Sequence, residues 1–218
     1  MEKQNKIILT VAIITIIGMF YFYKKSHKKD VPNSDESKKN DDSIKSILFV
    51  GDSNTEAPFS YADKIKQKFP NITTKKLAVK SMKTDWMYNQ LLEELSKNHY
   101  DAVSILGGSN DIWATGKNDM AKTYLDKMYD LAKSKGAKVI AITPPNKNFY
   151  TLKTPEKQAQ LFDLNTWIVK NPKKDYLLDF WTITNNPKFF TKADGYLHAQ
   201  SPAHEILANQ FINKVNLK

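Results

Sequence analysis

Residues 46–54 of the chain read SILFVGDSN, and this stretch decides the fold class. It opens with a short, uninterrupted apolar run from Ile47 to Val50. Such a run is typical of a strand that is buried on both faces of a parallel sheet. The Gly-Asp-Ser triplet at 51–53 follows at once and has the composition of a turn. Ligands of open α/β sheets bind at the carboxyl ends of strands, so the residues after each predicted strand are the candidates for chemistry.

Apolar runs and helical stretches alternate through the rest of the chain. The predicted strands cover residues 47–50, 77–79, 102–106, 139–142 and 176–180. The predicted helices cover residues 61–69, 84–97, 118–135, 155–169 and 202–212, with Thr154 and Ser201 as N-caps of the last two. Five strands with helical crossovers predict a three-layer α/β/α domain around a five-stranded parallel sheet.

The N-terminal part of the chain has a different character. Residues 7–23 read IILTVAIITIIGMFYFY without a charge, which is the length of a short membrane-spanning helix. The aromatic residues at its end are followed by lysines, as at a membrane interface. The sequence therefore predicts a membrane anchor at 1–23, a flexible charged tether at 24–45 and a folded domain at 46–218. A cleaved signal peptide or a buried core helix is the alternative for the first segment.

Composition narrows the possible chemistry. The chain has no cysteine, which excludes disulfides, thiolate metal sites and cysteine nucleophiles. All 33 basic residues are lysine, and the net charge is +10. Arginine is the usual reader of guanine and phosphate, and the lysines do not gather into a patch interleaved with aromatic residues. We therefore expect no nucleic-acid partner.

Three short motifs follow predicted strands or precede the last predicted helix. They are GDS at 51–53, GGSND at 107–111 and DGYLH at 194–198. Each alone is common in turns. Together they place a hydroxyl, an amide donor and an Asp/His pair on one edge of the sheet, and these groups are what acyl transfer to water requires.

In these motifs and their order, residues 46–218 resemble the SGNH (GDSL-type) hydrolases, a family of serine esterases and lipases. The resemblance implies an SGNH-hydrolase, flavodoxin-like fold without a metal or cofactor. It implies that Ser53 is the nucleophile, His198 the base, Asp194 the support of that base, and Asn110 an oxyanion donor. A histidine near its ordinary pKa suits the role of base at neutral pH.

The sequence departs from the family pattern at two places. The family usually spaces its last motif as Asp-x-x-His, whereas three residues separate Asp194 from His198. Its second motif normally supplies a glycine whose N–H enters the oxyanion hole, and residues 80–86 contain no glycine. Ser81 is the best match, so the predicted oxyanion hole consists of the N–H groups of Ser53 and Ser81 and the Asn110 amide.

Other residues near the motifs receive more ordinary predictions. His198 is the one histidine on the predicted edge, because His27 falls in the tether, His99 precedes the third strand and His204 falls inside the last helix. Asp52 and Asp111 are expected to order their loops. The four tryptophans are expected to pack in the core or line the pocket, and Trp113 is a candidate wall for the acyl pocket.

The resemblance and the site together predict a serine esterase that acts on acyl or acetyl esters of a lipid or a surface polysaccharide. The two departures favour an alternative, a catalytically degenerate binding protein of the same fold at a membrane or virion surface. The lysines after residue 23 favour a cytoplasmic domain by the positive-inside rule. Hydrolases of the family often work outside the cell, so the side stays open, with the extracytoplasmic side preferred.

Overall fold

The structure is a computed structural model that describes residues 43–146, 154–195 and 197–218, with only the backbone given for Asp194. The predicted anchor at 1–23 and nearly all of the predicted tether lie outside the described residues. In the ranges described, no helix is both long enough and apolar enough to cross a membrane.

Five parallel strands form one sheet in the order β2-β1-β3-β4-β5. The strands are β1 (Ser46–Gly51), β2 (Thr73–Ala78), β3 (Ala102–Leu106), β4 (Lys138–Ile142) and β5 (Tyr176–Leu178). The predicted five-stranded parallel sheet is therefore confirmed. From β1 the chain first adds β2 on one side and then crosses to add β3 on the other side. In open α/β sheets a crevice forms at the carboxyl ends of the two strands where the chain changes sides, here β1 and β3.

Helices cover both faces of the sheet. They are α1 (Ser53–Glu56), α2 (Tyr61–Lys68), α3 (Thr84–Lys97), α4 (Ser109–Thr115), α5 (Asp119–Ser134), α6 (Pro155–Lys170), α7 (Phe180–Ile183) and α8 (Ser201–Lys214). Single 3-10 turns at Pro187–Phe189 and Lys192–Asp194 lead into α8.

Successive side chains of the central strand β1 point alternately into two separate buried clusters. Ile47 and Phe49 face α2 and α8, whereas Leu48 and Val50 face α3, α5 and α6. All four side chains have no solvent exposure. The residues of β1 alternate between two apolar faces, and this explains the unbroken apolar run in the sequence.

Several predicted boundaries differ from those in the structure, most of them by one or two residues. The edge strand β2 begins at Thr73 rather than at residue 77, and β5 ends at Leu178 because Asp179 caps the next helix by accepting a hydrogen bond from Thr182 N at 2.9 Å. Ser201 is the first residue of α8 rather than its cap, since Gln200 occupies the cap position.

Residues 43–45 pack against the C-terminus of the chain. Ile44 is 1% exposed, forms a parallel bridge with Leu217, and donates its N–H to the carbonyl of Asn216 at 2.8 Å. Part of the stretch that the sequence assigns to the tether thus contributes an apolar side chain to the core.

Candidate active site

Ser53 stands at the sharp turn between β1 and α1. Asp52 caps this helix, because its carboxylate accepts the Asn54 N–H at 2.9 Å. The turn requires a glycine before it, since a Cβ on Gly51 would lie 2.1 Å from Thr55 Oγ1. Ser53 is the first residue of α1, so its own N–H has no partner within that helix. The Asp52 carboxylate orders the loop, as the sequence predicts.

His198 meets Ser53 at this edge of the sheet. Its Nε2 lies 3.0 Å from Ser53 Oγ, which is hydrogen-bond distance. Gln200 donates from Nε2 to the carbonyl of His198 at 3.1 Å and so ties the histidine loop to the start of α8. Residues from opposite ends of the domain thus form the nucleophile–base geometry of an activated serine.

Ser81 has the backbone conformation of a glycine. Its φ is 62°, and among the described residues it is the only non-glycine with a left-handed backbone. A left-handed backbone is one that glycine adopts readily and that serine rarely does.

Two anchors hold the loop around Ser81. Asn110 donates from Nδ2 to the carbonyl of Met82 at 2.9 Å, and Glu56 Oε2 accepts the N–H of Lys80 at 2.8 Å. An asparagine amide carries two N–H bonds, so one can hold Met82 while the second points elsewhere. Glu56 ends the helix that begins with Ser53. The second anchor therefore joins the loop directly to the helix of the serine.

Asp111 connects the helix of Asn110 to α3. Its carboxylate accepts Thr84 Oγ1–H at 2.8 Å and Thr84 N–H at 3.2 Å, and its side chain is buried. Burial raises the pKa of the Asp111 carboxyl above its ordinary value, although the hydrogen bonds from Thr84 oppose that shift. Asp111 thus orders its loop as the sequence predicts, but the sequence carries no signal for Thr84 as its partner.

The backbone of Asp194 lies in the 3-10 turn Lys192–Asp194, and Gly195 closes that turn with a φ of 67°. The side chain of Asp194 is outside the described part of the structure. The predicted contact between Asp194 and His198 therefore stays a prediction.

His99 and His204, the other two histidines that the structure describes, lie away from the serine hydroxyl. His99 is exposed and precedes β3 at the opposite edge of the sheet, and His27 lies outside the described residues. His204 is fully buried in α8, where its Nδ1 accepts the N–H of Tyr61 at 3.4 Å. Burial, assisted by the charge of Lys64, lowers the pKa of His204 to about 4.

Two cavities open at this edge of the sheet. Ser53 and His198 line a cavity of about 670 Å³, and Ser81 and Asn110 line one of about 440 Å³. Trp113, which is 50% exposed, lines the smaller cavity. Across residues 43–146, 154–195 and 197–218, no three His, Cys, Asp or Glu side chains are grouped to hold a metal ion.

The fold is shared with solved structures of low sequence identity. A lipolytic protein of the G-D-S-L family from Veillonella parvula DSM 2008 superposes with a TM-score of 0.66 at 15% identity, over 77% of this chain and 96% of that one. For the psychrotrophic esterase EstA from a Pseudoalteromonas species the TM-score is 0.62 at 15% identity, over 78% and 95%. For a catalytic mutant of Axe2, an acetylxylan esterase from Geobacillus stearothermophilus, it is 0.61 at 19% identity, over 78% and 94%.

Sequence comparison identifies the family. No curated protein sequence matches the chain. The sequence model of the GDSL-like Lipase/Acylhydrolase family matches residues 49–206, which is well over half of the chain. The chain belongs to the GDSL-like lipase/acylhydrolase, or SGNH hydrolase, family and is an esterase/acylhydrolase of that type.

Proposed function

We propose that the protein hydrolyses acyl or acetyl esters of a lipid or a surface polysaccharide, with Ser53 as nucleophile, His198 as base and Asp194 as the support of that base. The contact of 3.0 Å between Ser53 Oγ and His198 Nε2 carries the proposal. A serine hydroxyl is a weak nucleophile until a neighbouring base accepts its proton, and this distance allows that transfer.

In the first half of the reaction, Ser53 Oγ bonds to the carbonyl carbon of the ester while its proton passes to His198 Nε2. The carbonyl π bond opens and leaves a tetrahedral intermediate with a negative oxygen. When this intermediate collapses, the bond to the alcohol oxygen breaks and His198 gives its proton to the departing alcohol. The acyl group remains on Ser53.

The second half repeats these steps with water. His198 accepts a proton from the attacking water, the tetrahedral intermediate forms again, and its collapse returns the proton to Ser53 Oγ as the carboxylic acid leaves. The role proposed for Asp194 is to hold the histidine tautomer with a proton on Nδ1 and to stabilise the imidazolium. Axe2, an acetylxylan esterase of similar fold, is the reason that acetyl esters are included among the proposed substrates beside longer acyl esters.

The proposed oxyanion hole consists of the N–H groups of Ser53 and Ser81 and the second N–H of the Asn110 amide. The left-handed backbone of Ser81 and the bond from Asn110 to Met82 support this assignment. The alternative, a degenerate binding protein, drew support from the missing glycine. That support weakens because Ser81 adopts the conformation for which glycine is used.

A fluorophosphonate probe and p-nitrophenyl acetate test the proposal on the full chain. We expect the probe to label Ser53, and we expect Ser53→Ala to abolish labelling and to lower kcat by on the order of 10⁴-fold or more. His198→Ala should lose labelling as well. His99→Ala is the matched control, because this exposed histidine lies at the other edge of the sheet, and it should label like the wild type. Turnover that survives in Ser53→Ala would contradict the proposed nucleophile.

The N-terminal segment carries a separate proposal. The uncharged run at 7–23 supports a single-pass anchor that holds the domain at a membrane, with the extracytoplasmic side preferred. The full chain should sediment with membranes in high salt and dissolve in detergent, whereas a chain that lacks residues 1–23 should stay in the soluble fraction. Recovery of that shortened chain in the membrane fraction would show that another part of the protein binds the membrane.

A further inference from the structure

The two cavities offer different groups to an ester. The cavity of about 670 Å³ presents Ser53 and His198, and the cavity of about 440 Å³ presents the proposed oxyanion donors Ser81 and Asn110. Ser53 and His198 do not line the smaller cavity, and Ser81 and Asn110 do not line the larger one. The acyl part and the alcohol part of an ester bound at Ser53 would therefore contact different sets of residues.

We infer that the smaller cavity binds the acyl chain, that the larger cavity binds the alcohol, and that the natural acyl group is longer than acetyl. The inference rests on the proposed function. His198 must give its proton to the departing alcohol oxygen, so the alcohol lies in the cavity that His198 lines. The carbonyl oxygen faces the oxyanion donors, and the acyl chain leaves the same carbon in a direction away from the alcohol, so we assign the chain to the cavity beside those donors.

The walls of the smaller cavity suit a hydrocarbon chain. Trp113, Ala114 and Leu197 supply its apolar surface. Trp113 stands three residues after Asn110 in α4, so the two side chains share one face of the helix and the indole lies beside the proposed donor. An apolar chain that leaves the carbonyl carbon would lie along this ring.

Lys157 fixes the position of the indole. Its Nζ lies 5.4 Å from the centre of the Trp113 ring and donates to the Trp113 carbonyl at 2.8 Å. A cation at this distance over the ring face is attracted by the ring quadrupole. The contact favours this orientation of the half-exposed ring, which lowers the cost of ordering the ring when a chain packs on it.

The volume of the smaller cavity distinguishes an acetyl group from a longer chain. A water molecule takes about 30 Å³ of liquid, and the methyl of an acetyl group is of similar size. A cavity of about 440 Å³ therefore has room for several methylene groups beyond the methyl of an acetyl group. Each methylene that becomes buried beside Trp113 is expected to raise kcat/KM by up to about 4-fold.

Two exposed alanines allow a matched test, because each lines one cavity and contributes nothing to the core. Ala114 lines the smaller cavity and Ala193 the larger. The substrates are p-nitrophenyl esters from acetate to octanoate, in which only the acyl chain varies. A second series of hexanoate esters varies only the alcohol, from methyl to 2-naphthyl. All measurements use the full chain.

We expect the wild type to gain about 10-fold or more in kcat/KM from acetate to hexanoate, from the methylene increments above. Ala114→Phe should remove most of that gain, measured as the ratio of hexanoate to acetate turnover, while the ratio of 2-naphthyl to methyl ester turnover keeps its wild-type value. Ala193→Phe should lower turnover of the 2-naphthyl ester relative to the methyl ester and keep the acyl profile. Phe162→Ala, an exposed aromatic outside both cavities, should match the wild type in both series.

The outcomes separate the inference from the function on which it rests. Failure of every ester to react, together with no fluorophosphonate labelling, would overturn the esterase proposal itself. Turnover that is greatest for acetate, or an acyl profile that Ala193→Phe changes and Ala114→Phe does not, would overturn the assignment of the cavities and leave the esterase standing.

Discussion

At the scale of single residues, Ser81 combines a side chain that disfavours a left-handed backbone with a position that requires one. Its φ of 62° costs about 1 kcal/mol relative to glycine, because the Cβ crowds the following carbonyl. The loop keeps this conformation because the neighbouring residues Lys80 and Met82 are held by Glu56 and Asn110. What Ser81 is proposed to contribute is its N–H, and every residue except proline has one.

Substitutions at Ser81 therefore have a predictable order. Ser81→Gly should keep kcat and raise the free energy of unfolding by up to about 1 kcal/mol, and Ser81→Ala should leave kcat nearly unchanged. Ser81→Pro removes the N–H and cannot adopt a positive φ, so kcat should fall by on the order of 10²–10³. Ester kinetics and urea unfolding measure both effects. A loss in Ser81→Ala as large as in Ser81→Pro would mean that the hydroxyl acts and the backbone does not.

His204 makes the stability of the domain depend on pH. Its pKa is lowered to about 4 in the folded protein by burial, with Lys64 adding to the effect, and an ordinary histidine titrates at about 6.5. Between these values the unfolded chain binds the proton and the folded chain does not. The stability that the neutral ring contributes is therefore present above about pH 6.5 and is lost as the pH falls toward 4. The free energy of unfolding should therefore be lower below pH 4 than above pH 6.5 by on the order of 3 kcal/mol from this histidine.

His204→Asn tests this coupling, because asparagine retains an acceptor for the Tyr61 N–H and does not titrate. The free energy of unfolding of the wild type should fall more steeply between pH 6.5 and 4 than that of the variant, whatever their difference at pH 7. His99→Ala should keep the steep wild-type dependence. Parallel curves for the wild type and His204→Asn would contradict the prediction.

At the scale of secondary-structure elements, the short helix α1 links Ser53 to the loop around Ser81, which is proposed to supply an oxyanion donor. Glu56 ends this helix and accepts the N–H of Lys80 at 2.8 Å, next to Ser81.

Glu56→Ala removes one of the two anchors of this loop. It should lower kcat by about 3–10-fold with KM little changed, since the loss falls on the transition state. Glu56→Gln keeps an acceptor and should restore most of kcat. Glu93→Ala, an exposed glutamate on α3, is the control. An equal loss in both Glu56 variants would exclude the hydrogen bond as the cause.

Elements with clear local signals were predictable from the sequence. The helix at 84–97 and the strand at 102–106 have the bounds that their apolar patterns indicate. The start of β2 was missed because an edge strand is exposed on one side, and Thr73, Lys75 and Lys76 resemble a loop in sequence. Hydrophobic periodicity detects strands that are buried, and this one is only partly so.

Some contacts of the site were predictable from the sequence and others were not. Ser53 and His198 were predictable as neighbours because both follow or precede elements at the carboxyl edge of a parallel sheet. The bond between Glu56 and Lys80 was not, because its acceptor is a side chain and its donor is a backbone N–H common to almost every residue. Contacts of this kind depend on the folded path of the loop and leave no pattern in residue types.

At the scale of the whole molecule, the two ends of the folded part meet. Ile44 bridges to Leu217 and lies in the cluster that also contains Phe211 and Val215. Lys218 returns a hydrogen bond from its N–H to the carbonyl of Ile44 at 3.4 Å. The pairing closes the α8 side of the sheet at the edge opposite the active site. Neither Ser53 nor His198 takes part in it.

Ile44→Ala should therefore destabilise the domain and leave the chemistry intact. Truncation of a fully buried isoleucine costs about 2–5 kcal/mol, because the apolar burial is lost and the surroundings fill the space only in part. Urea unfolding of the variant should show a lower midpoint, while kcat and KM for p-nitrophenyl acetate at 20 °C stay at wild-type values. Ile206→Ala is the matched control, since this isoleucine of α8 is 42% exposed and its truncation should change the free energy of unfolding by less than about 1 kcal/mol. Equal stability of the two variants would show that residues 43–45 only lie against the domain, and that the fold is complete from Ser46 onward.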